Sequence, residues 1–420
     1  MPHTKNNILL MMIYYVFTVL IFYFFDGGVK IGSFTVMYRY IFAAVLILIG
    51  FFCFLIEWDT SVITVLKDAA VHILPYALAL CVSSVIWVFR RPSLTTITRG
   101  GFYVVYIFIA LLLAVSYVIV FGRRSIYILM CSMVTAYIIV IYRYGIQSQG
   151  VAAFIHNFIN QIVTFGEEKN SFAQVEDADI QFAFGCLLIF FALDNQENVP
   201  RRILCVFISL LFFMVGFKRI TVFGVAAALC LAFAVRRKKG EHDVLIVRIL
   251  AIVLIAVLAG YVIMGKLNIL ETIYDYYDIE TKGRTDFMAF IDKYYYLSPT
   301  FLGYGLGYVN RLMEVLYEAG RIDAAVLHND ILRLYVELGF WGFAVWVISY
   351  WFVRFDYFIK HRDKRVFRIV LAVVIYLTVT FLTDNTVYYF NINFAAFLVM
   401  LAAEYPLSKQ AAALKRQNVS

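Results

Sequence analysis

The sequence predicts an all-α polytopic membrane protein with about twelve transmembrane helices. Three observations carry this. The 420 residues are 63% hydrophobic and only 15% charged, too little polar surface for a water-soluble globule of that length. Mean hydropathy is +0.83. Apolar runs close to the length of a bilayer crossing recur from one end of the chain to the other. Aromatic residues add 18%, with 40 Phe and 30 Tyr, the types that line lipid-facing surfaces and interfacial belts.

The spanning runs, in order, are Ile8–Phe25, Ser33–Ile56, Val71–Phe89, Phe102–Phe121, Ser125–Tyr142, Ile180–Leu193, Ile203–Phe217, Ile220–Val235, Val244–Met264, Ile331–Val353, Val366–Thr383 and Thr386–Ala403. The sixth and seventh are short. One Lys precedes the first run and no small-residue cleavage site follows it, so it reads as a retained helix and not as a removed signal peptide. The six cysteines (Cys53, Cys81, Cys131, Cys186, Cys205 and Cys230) all fall in apolar runs. They read as small hydrophobes, with no disulfide or zinc spacing. No internal repeat or low-complexity tract is visible. The whole chain, 1–420, reads as a single integral membrane domain.

The net charge is +8, from 36 Lys+Arg against 28 Asp+Glu. In a membrane protein this reflects cytoplasmic loops and anionic lipid, not nucleic acid. Arg236, Arg237, Lys238 and Lys239 mark one cytoplasmic loop, and Arg354, Lys360, Arg362, Lys364 and Arg365 another. Arg123, Arg124, Arg201, Arg202, Lys415 and Arg416 agree, and an even helix count puts both termini in the cytoplasm. Arg90, Arg91 and Arg99 then fall outside, against the bias. Either the first third threads differently, or these arginines are kept for a task such as gripping glycan or phosphate.

Two segments outside the bilayer are long, Arg143–Asp179 and Gly265–Asp330. Within the first, Val151, Phe154, Ile155, Phe158, Ile159 and Ile162 recur at helical spacing, and His156, Asn157, Asn160 and Gln161 take the other side. The pattern predicts a helix lying flat on the membrane surface. The acidic residues after it, Glu167 to Asp179, read as a solvated loop before a metal site. The second segment is the largest polar one. It reads as short helices, and "GYGLGY" marks a turn near the surface.

The outer side gathers cations. Lys218 and Arg219 sit in a turn too tight to be a loop, and Arg284 lies in "GRTDF". Arg39 falls inside the second run, roughly two turns from its end at 1.5 Å per residue. Charges within a span face a cavity or a partner, or snorkel to the headgroups. Arginine binds phosphate oxygens through paired hydrogen bonds and keeps its charge at any working pH, so the cluster points to an anionic ligand. Residues 327–343, "LHNDILRLYVELGFWGF", add an imidazole at the same side. Histidine as a residue type titrates near neutrality, so His328 is suited to taking a proton from a sugar hydroxyl, or else it is a helix-start residue beside Asn329 and Asp330. Asp330 reads as the helix cap. Arg333 and Glu337 stand four apart and are expected to pair with each other, while Gly339 and Gly342 allow close helix packing.

"LHNDILRLYVELGFWGF" resembles the signature of the O-antigen ligase and Wzy-type polysaccharide polymerase superfamily. "GFKRITVFG" resembles the family's Ser-Arg segment between two helices, with Lys218 in place of the usual small residue. "GRTDFMAFIDKYYYLSPTFLGYGLGYV" resembles the start of its large outer loop, with Phe287 or Phe290 where Trp is common. The motifs occur in the family's order, and the similarity runs from about Leu204 to Val353. The first half matches in hydropathy alone.

The resemblance implies a glycosyltransferase of the GT-C type in a bacterial cytoplasmic membrane. Such an enzyme takes a glycan from undecaprenyl diphosphate and needs no metal, cofactor or nucleotide sugar; "DYYD" (Asp275, Asp278) lacks Asp-x-Asp spacing. Arg219, Arg284 and His328 are the expected catalytic residues. Lys218, Arg39, Arg90, Arg91, Asn329 and Arg333 are the expected substrate-binding residues. A polymerase of repeat units is the leading reading. A ligase onto an acceptor is the near alternative, and a lipid-linked oligosaccharide flippase the alternative of another class. The expected partners are the lipid-linked donor and acceptor, membrane lipid, a chain-length regulator and a flippase.

Overall fold

A computed structural model describes residues 7–25, 27–31, 34–56, 61–164, 179–196, 198–235, 243–276, 290–322 and 326–417. It is an all-α polytopic membrane protein. Every one of the apolar runs carries a helix: α1 (Ile8–Tyr23), α2 (Tyr38–Ile56), α3 (Ser61–Arg90), α4 (Leu94–Phe121) and α5 (Ser125–Val140) in the first third. After α6 (Val151–Val163) come α7 (Ile180–Leu193), α8 (Val199–Val215), α9 (Arg219–Ala234) and α10 (Asp243–Lys266). Two short helices, α11 (Ile269–Tyr276) and α12 (Tyr308–Glu318), precede α13 (Asp330–Val347), α14 (Arg354–His361), α15 (Lys364–Phe381) and α16 (Phe390–Gln417). Among the described residues, five helical stretches are long and apolar enough to cross a membrane: Tyr38–Ile56, Val62–Arg90, Leu94–Gln149, Val244–Lys266 and Asp330–His361.

Hydrophobic residues all round a helix mean that it is buried. α7 follows this rule, with almost every side chain enclosed, and α15 and the first half of α16 join it at the centre. Gly185 of α7 and Gly224 of α9 both lie against the Tyr376 ring of α15, where a side chain would collide. Small residues at such crossings let helices approach closely. The outer helices α2, α8 and α10 expose apolar side chains such as Phe51, Phe52, Phe207, Leu211, Ile249 and Val257. A face of that extent suits lipid, not water.

The second helix is shorter than its apolar run. Gly28–Ile31 (β1) and Phe34–Met37 (β2) pair as an antiparallel hairpin, with Val29 opposite Val36. α2 starts only at Tyr38, so Arg39 sits at the helix's second residue and not two turns inside it. The β-branched residues that read as the start of a span here serve a strand.

The basic residues divide between the two ends of the bundle. At one end Arg123 and Arg365 both bind Asp194, the latter at 3.0 Å, and Arg362 binds Asp68 at 2.5 Å. Arg90 and Arg99 contact residues 303 and 314 at the opposite end.

α13 is broken. Gly339 has φ +70° and ψ −175°, so Asp330–Leu338 forms a half-helix set off from the rest. The extended segment 301–305 fills the break: Phe340 N–H donates to Phe301 O at 2.8 Å, and the Tyr304 and Gly305 amides donate to Glu337 O at 3.1 and 2.7 Å. "GYGLGY" is therefore a buried segment and not a surface turn, with Gly303, Gly305 and Gly307 all at positive φ. Leu306 N–H, next along the chain, donates to Ser83 Oγ at 2.7 Å and ties this segment to α3.

Candidate active site

Asp384 lies in the turn between α15 and α16 and is 3% exposed. Its Oδ2 lies 3.3 Å from Lys218 Nζ. Oδ1 lies 3.4 Å from His328 Nδ1 and accepts from the Tyr389 hydroxyl at 2.9 Å and the Asn385 amide at 2.8 Å. Burial works to raise the pKa of this carboxyl, but the Lys218 charge and the His328 contact outweigh it and hold the group well below the usual carboxylate range. An ionised carboxylate only accepts hydrogen bonds, so the proton is on Nδ1 of His328. Nε2 makes no hydrogen bond to the described residues, and the His328 side chain is 41% exposed.

Lys218 reaches this position because α8 ends at Val215 and α9 starts at Arg219. A Cβ on Gly216 would meet the Tyr137 hydroxyl and Gln181, so only glycine allows the turn to seat between α5 and α7. Gln161, the buried residue of the surface helix α6, donates to Phe217 O at 3.1 Å. α6 thereby supports the turn while Val151, Ile155 and Ile159 stay exposed on another face.

The cap of α13 is Asn329 and not Asp330: the Asn329 side chain accepts the Leu332 amide at 2.9 Å. Its Nδ2 donates to the Tyr261 hydroxyl at 2.7 Å, and that hydroxyl donates to Leu382 O at 3.1 Å. Asp330 turns instead to the Asp384 turn, where Oδ2 accepts the Val387 amide at 2.7 Å. Its other oxygen pairs with Arg333. The expected Arg333–Glu337 pair is not formed. Arg333 takes Asp330, also reaches Asn310 Oδ1 at 3.4 Å, and stacks its guanidinium 4.0 Å from the Tyr388 ring centre. Glu337 accepts the Val309 amide at 3.0 Å. Arg333 is buried and helps frame the site, with Tyr103 stacked on the other ring partner, Tyr388, at 4.1 Å.

The other expected site residues scatter. Arg219 is the half-buried first residue of α9, adjacent to Lys218. Arg284 lies outside the described residues. Arg39 faces the Tyr40 ring at 5.9 Å, and Tyr40 stacks on Tyr106 at 4.1 Å. Arg90 donates through Nε to Gly303 O at 3.2 Å and lies 5.0 Å from the Tyr304 ring centre. Arg99 makes a two-pronged bridge to Glu314 at 2.7 and 2.9 Å. That bridge, with help from Arg311, holds Glu314 below its ordinary pKa. Arg91 follows the end of α3 with φ +46°.

Asp384, Tyr389, Tyr261 and Asn310 escaped the sequence reading. A signal for the first existed: Asp384-Asn385 is the only polar break between two long apolar runs, and polar groups at such depth tend to be functional. Among the described residues no group of three or more His, Cys, Asp or Glu side chains has the arrangement to hold a metal ion.

Residues 204–347 match the family model of the O-antigen ligases, Wzy_C. This Wzy_C domain covers about a third of the chain and includes Lys218, Arg219, His328, Asn329 and Arg333. Asp384 lies beyond it, between α15 and α16, so the site joins the Wzy_C domain to the last two helices. The match supports a membrane enzyme of the O-antigen ligase or polymerase type. No curated protein matches the chain.

Proposed function

We propose that the protein polymerises undecaprenyl-diphosphate-linked oligosaccharide repeat units on the outer face of a bacterial cytoplasmic membrane. The observation that carries this reading is the His328–Asp384–Lys218 cluster, most of it inside the Wzy_C domain. The basic end with Arg123, Arg362 and Arg365 is the cytoplasmic one by the positive-inside rule, which puts the cluster outside, with about twelve crossings and both termini in the cytoplasm.

In this mechanism His328 Nε2 takes the proton of an acceptor hydroxyl. The freed oxygen attacks the anomeric carbon of the donor glycan from the face opposite the diphosphate. The bond from that carbon to the diphosphate oxygen breaks, its electron pair leaves with the polyprenyl diphosphate, and the configuration inverts. Arg219 and Arg284 offset the growing charge of the leaving group. Lys218 has a different task from the one expected of it. It keeps Asp384 ionised, and Asp384 fixes the tautomer and aim of His328 and stabilises its positive form.

The first half of the chain resembles the superfamily only in hydropathy. By analogy, that divergence favours a polymerase, whose glycans vary, over a ligase. A flippase fits less well, because the polar groups of the candidate site gather at one end of the bundle and no pair of related halves is visible in the sequence. Glycan profiling of a deletion strain tests the reading. A single repeat unit on the acceptor means a lost polymerase. A bare acceptor with polymer still on the lipid carrier means a ligase, and repeat units trapped on the cytoplasmic side mean a flippase. Arg284→Ala and Arg219→Ala are expected to abolish polymer while the protein is still made; polymer of normal length in both would remove them from the site.

A further inference from the structure

A groove of about 250 Å³ lies between α3 and α13 at its break, with Phe301 and Leu302 in its wall. Val82, Val85, Phe89, Leu302, Leu338 and Trp341 line it, and its wall is almost wholly apolar. Val85, Phe89, Leu302 and Trp341 are all more than half exposed, so the groove opens sideways to the lipid phase. It meets α13 at the break, eight residues past Asp330, or about 12 Å along the helix.

Arg90 stands at the mouth of this groove. Its Nε donates to Gly303 O and its guanidinium lies over the Tyr304 ring, while both terminal nitrogens lack a hydrogen-bond acceptor among the described residues. Arg91 is exposed beside it and holds a left-handed backbone, φ +46°, directly before Pro92. A residue ahead of proline favours extended backbone, and a side-chain-bearing residue at positive φ is strained. Such strain persists where the surroundings impose it and gathers at ligand clamps. The two cations also stand at the end of the bundle where the charge bias disfavours them.

We infer that this groove is a binding site for an anionic phospholipid, with one acyl chain in the groove and the phosphate between the Arg90 and Arg91 guanidiniums. Paired guanidiniums match phosphate oxygens, and the apolar wall matches the chain. The lipid presses Leu302 against the α13 break and so steadies the half-helix that begins with Asn329 and Asp330. The site is separate from the His328 cluster and does not depend on the glycosyl transfer proposed for it.

The test uses the purified full chain, with phosphatidylglycerol and phosphatidylcholine as probes, and reads lipid retention by native mass spectrometry alongside the melting temperature. The wild type is expected to retain phosphatidylglycerol, to melt higher with it, and to retain little phosphatidylcholine. Arg90→Gln/Arg91→Gln lowers retention of phosphatidylglycerol by about 30-fold, from the usual strength of a basic residue near anionic lipid. Arg91→Gln alone, at an exposed position, gives a smaller loss. Val85→Trp, also at an exposed position, fills the groove and lowers retention with the arginines intact. Equal retention of the two lipids by the wild type, or phosphatidylglycerol bound as well by Arg91→Gln and Val85→Trp as by the wild type, would overturn the inference.

Discussion

His328 Nδ1 lies 3.4 Å from Asp384 Oδ1, and Lys218 Nζ lies 3.3 Å from the other oxygen of the same carboxylate. One buried anion therefore fixes an imidazole on one side and neutralises an ammonium on the other. Asp384→Asn keeps the shape and removes the charge. The amide can present its NH₂ to Nδ1, which reverses the tautomer and places the hydrogen on Nε2, where a base needs a lone pair. Glycan transfer is expected to fall by about 10²–10⁴-fold, with unchanged protein level in the membrane. An in vitro transfer assay checks this, and a wild-type rate would reduce Asp384 to a packing residue.

Lys218 tests the same carboxylate from the other side. The folded pKa of Asp384 is depressed, so its contribution to stability is present above the unfolded value, near 3.9, and is lost only as pH falls through the lower folded value. Between pH 5 and pH 8 the wild-type carboxylate keeps its charge. Lys218→Met removes the largest influence opposing burial, so the carboxyl of the variant rises. Its acid loss of activity is expected at higher pH than in the wild type, and Lys218→Arg should keep the wild-type limb. Superimposable pH–rate profiles for the wild type and Lys218→Met would show that the ammonium does not hold the carboxylate ionised.

Much of the fold was legible because a helix in lipid must be apolar, and every apolar run carries a helix. The surface helix α6 was visible from the 3.6-residue period of Val151, Ile155 and Ile159. The break at Gly339 was not, because "ELGFWGF" reads as continuous apolar sequence and its positive φ answers to Phe301, a residue far away in the chain. Arg333 had two acidic neighbours at helical spacing. The i+4 rule chose Glu337, but the Val309 amide claims that side chain and leaves Asp330, three residues before, as the ionic partner. His328 was legible as a polar residue at a helix start. Its partner was not, since Asp384 stands 56 residues on from it and 166 from Lys218.

The α13 break makes a prediction about glycine. A Cβ on Gly339 would lie 2.3 Å from Leu302 C and 2.5 Å from Phe301 O, both backbone atoms that cannot rotate away. Gly320 has a similar φ, +65°, but open space around it. Gly320→Ala should cost only the left-handed penalty of about 1–2 kcal/mol. Gly339→Ala adds a backbone collision and should leave little monodisperse protein after extraction. Size-exclusion profiles of the two variants side by side give the answer, and equal recovery would mean that the segment 301–305 can withdraw from the break.

The last prediction concerns Arg333, whose side chain is enclosed with Asp330 beneath the Tyr388 ring. Removing one member of a buried ion pair strands the other charge, at a cost of about 3–5 kcal/mol, whereas replacing both members can be close to neutral. Arg333→Met is therefore expected to lower the melting temperature in detergent sharply. Arg333→Met/Asp330→Asn should recover a large part of the loss, because the asparagine can still accept the Val387 amide that holds the Asp384 turn. Recovered stability should not bring recovered activity, since the turn that carries Asp384 then lacks the Arg333–Tyr388 stacking. If the double variant melts no higher than the single one, the destabilisation comes from lost guanidinium packing on Tyr388 and Asn310, and the ion pair contributes little.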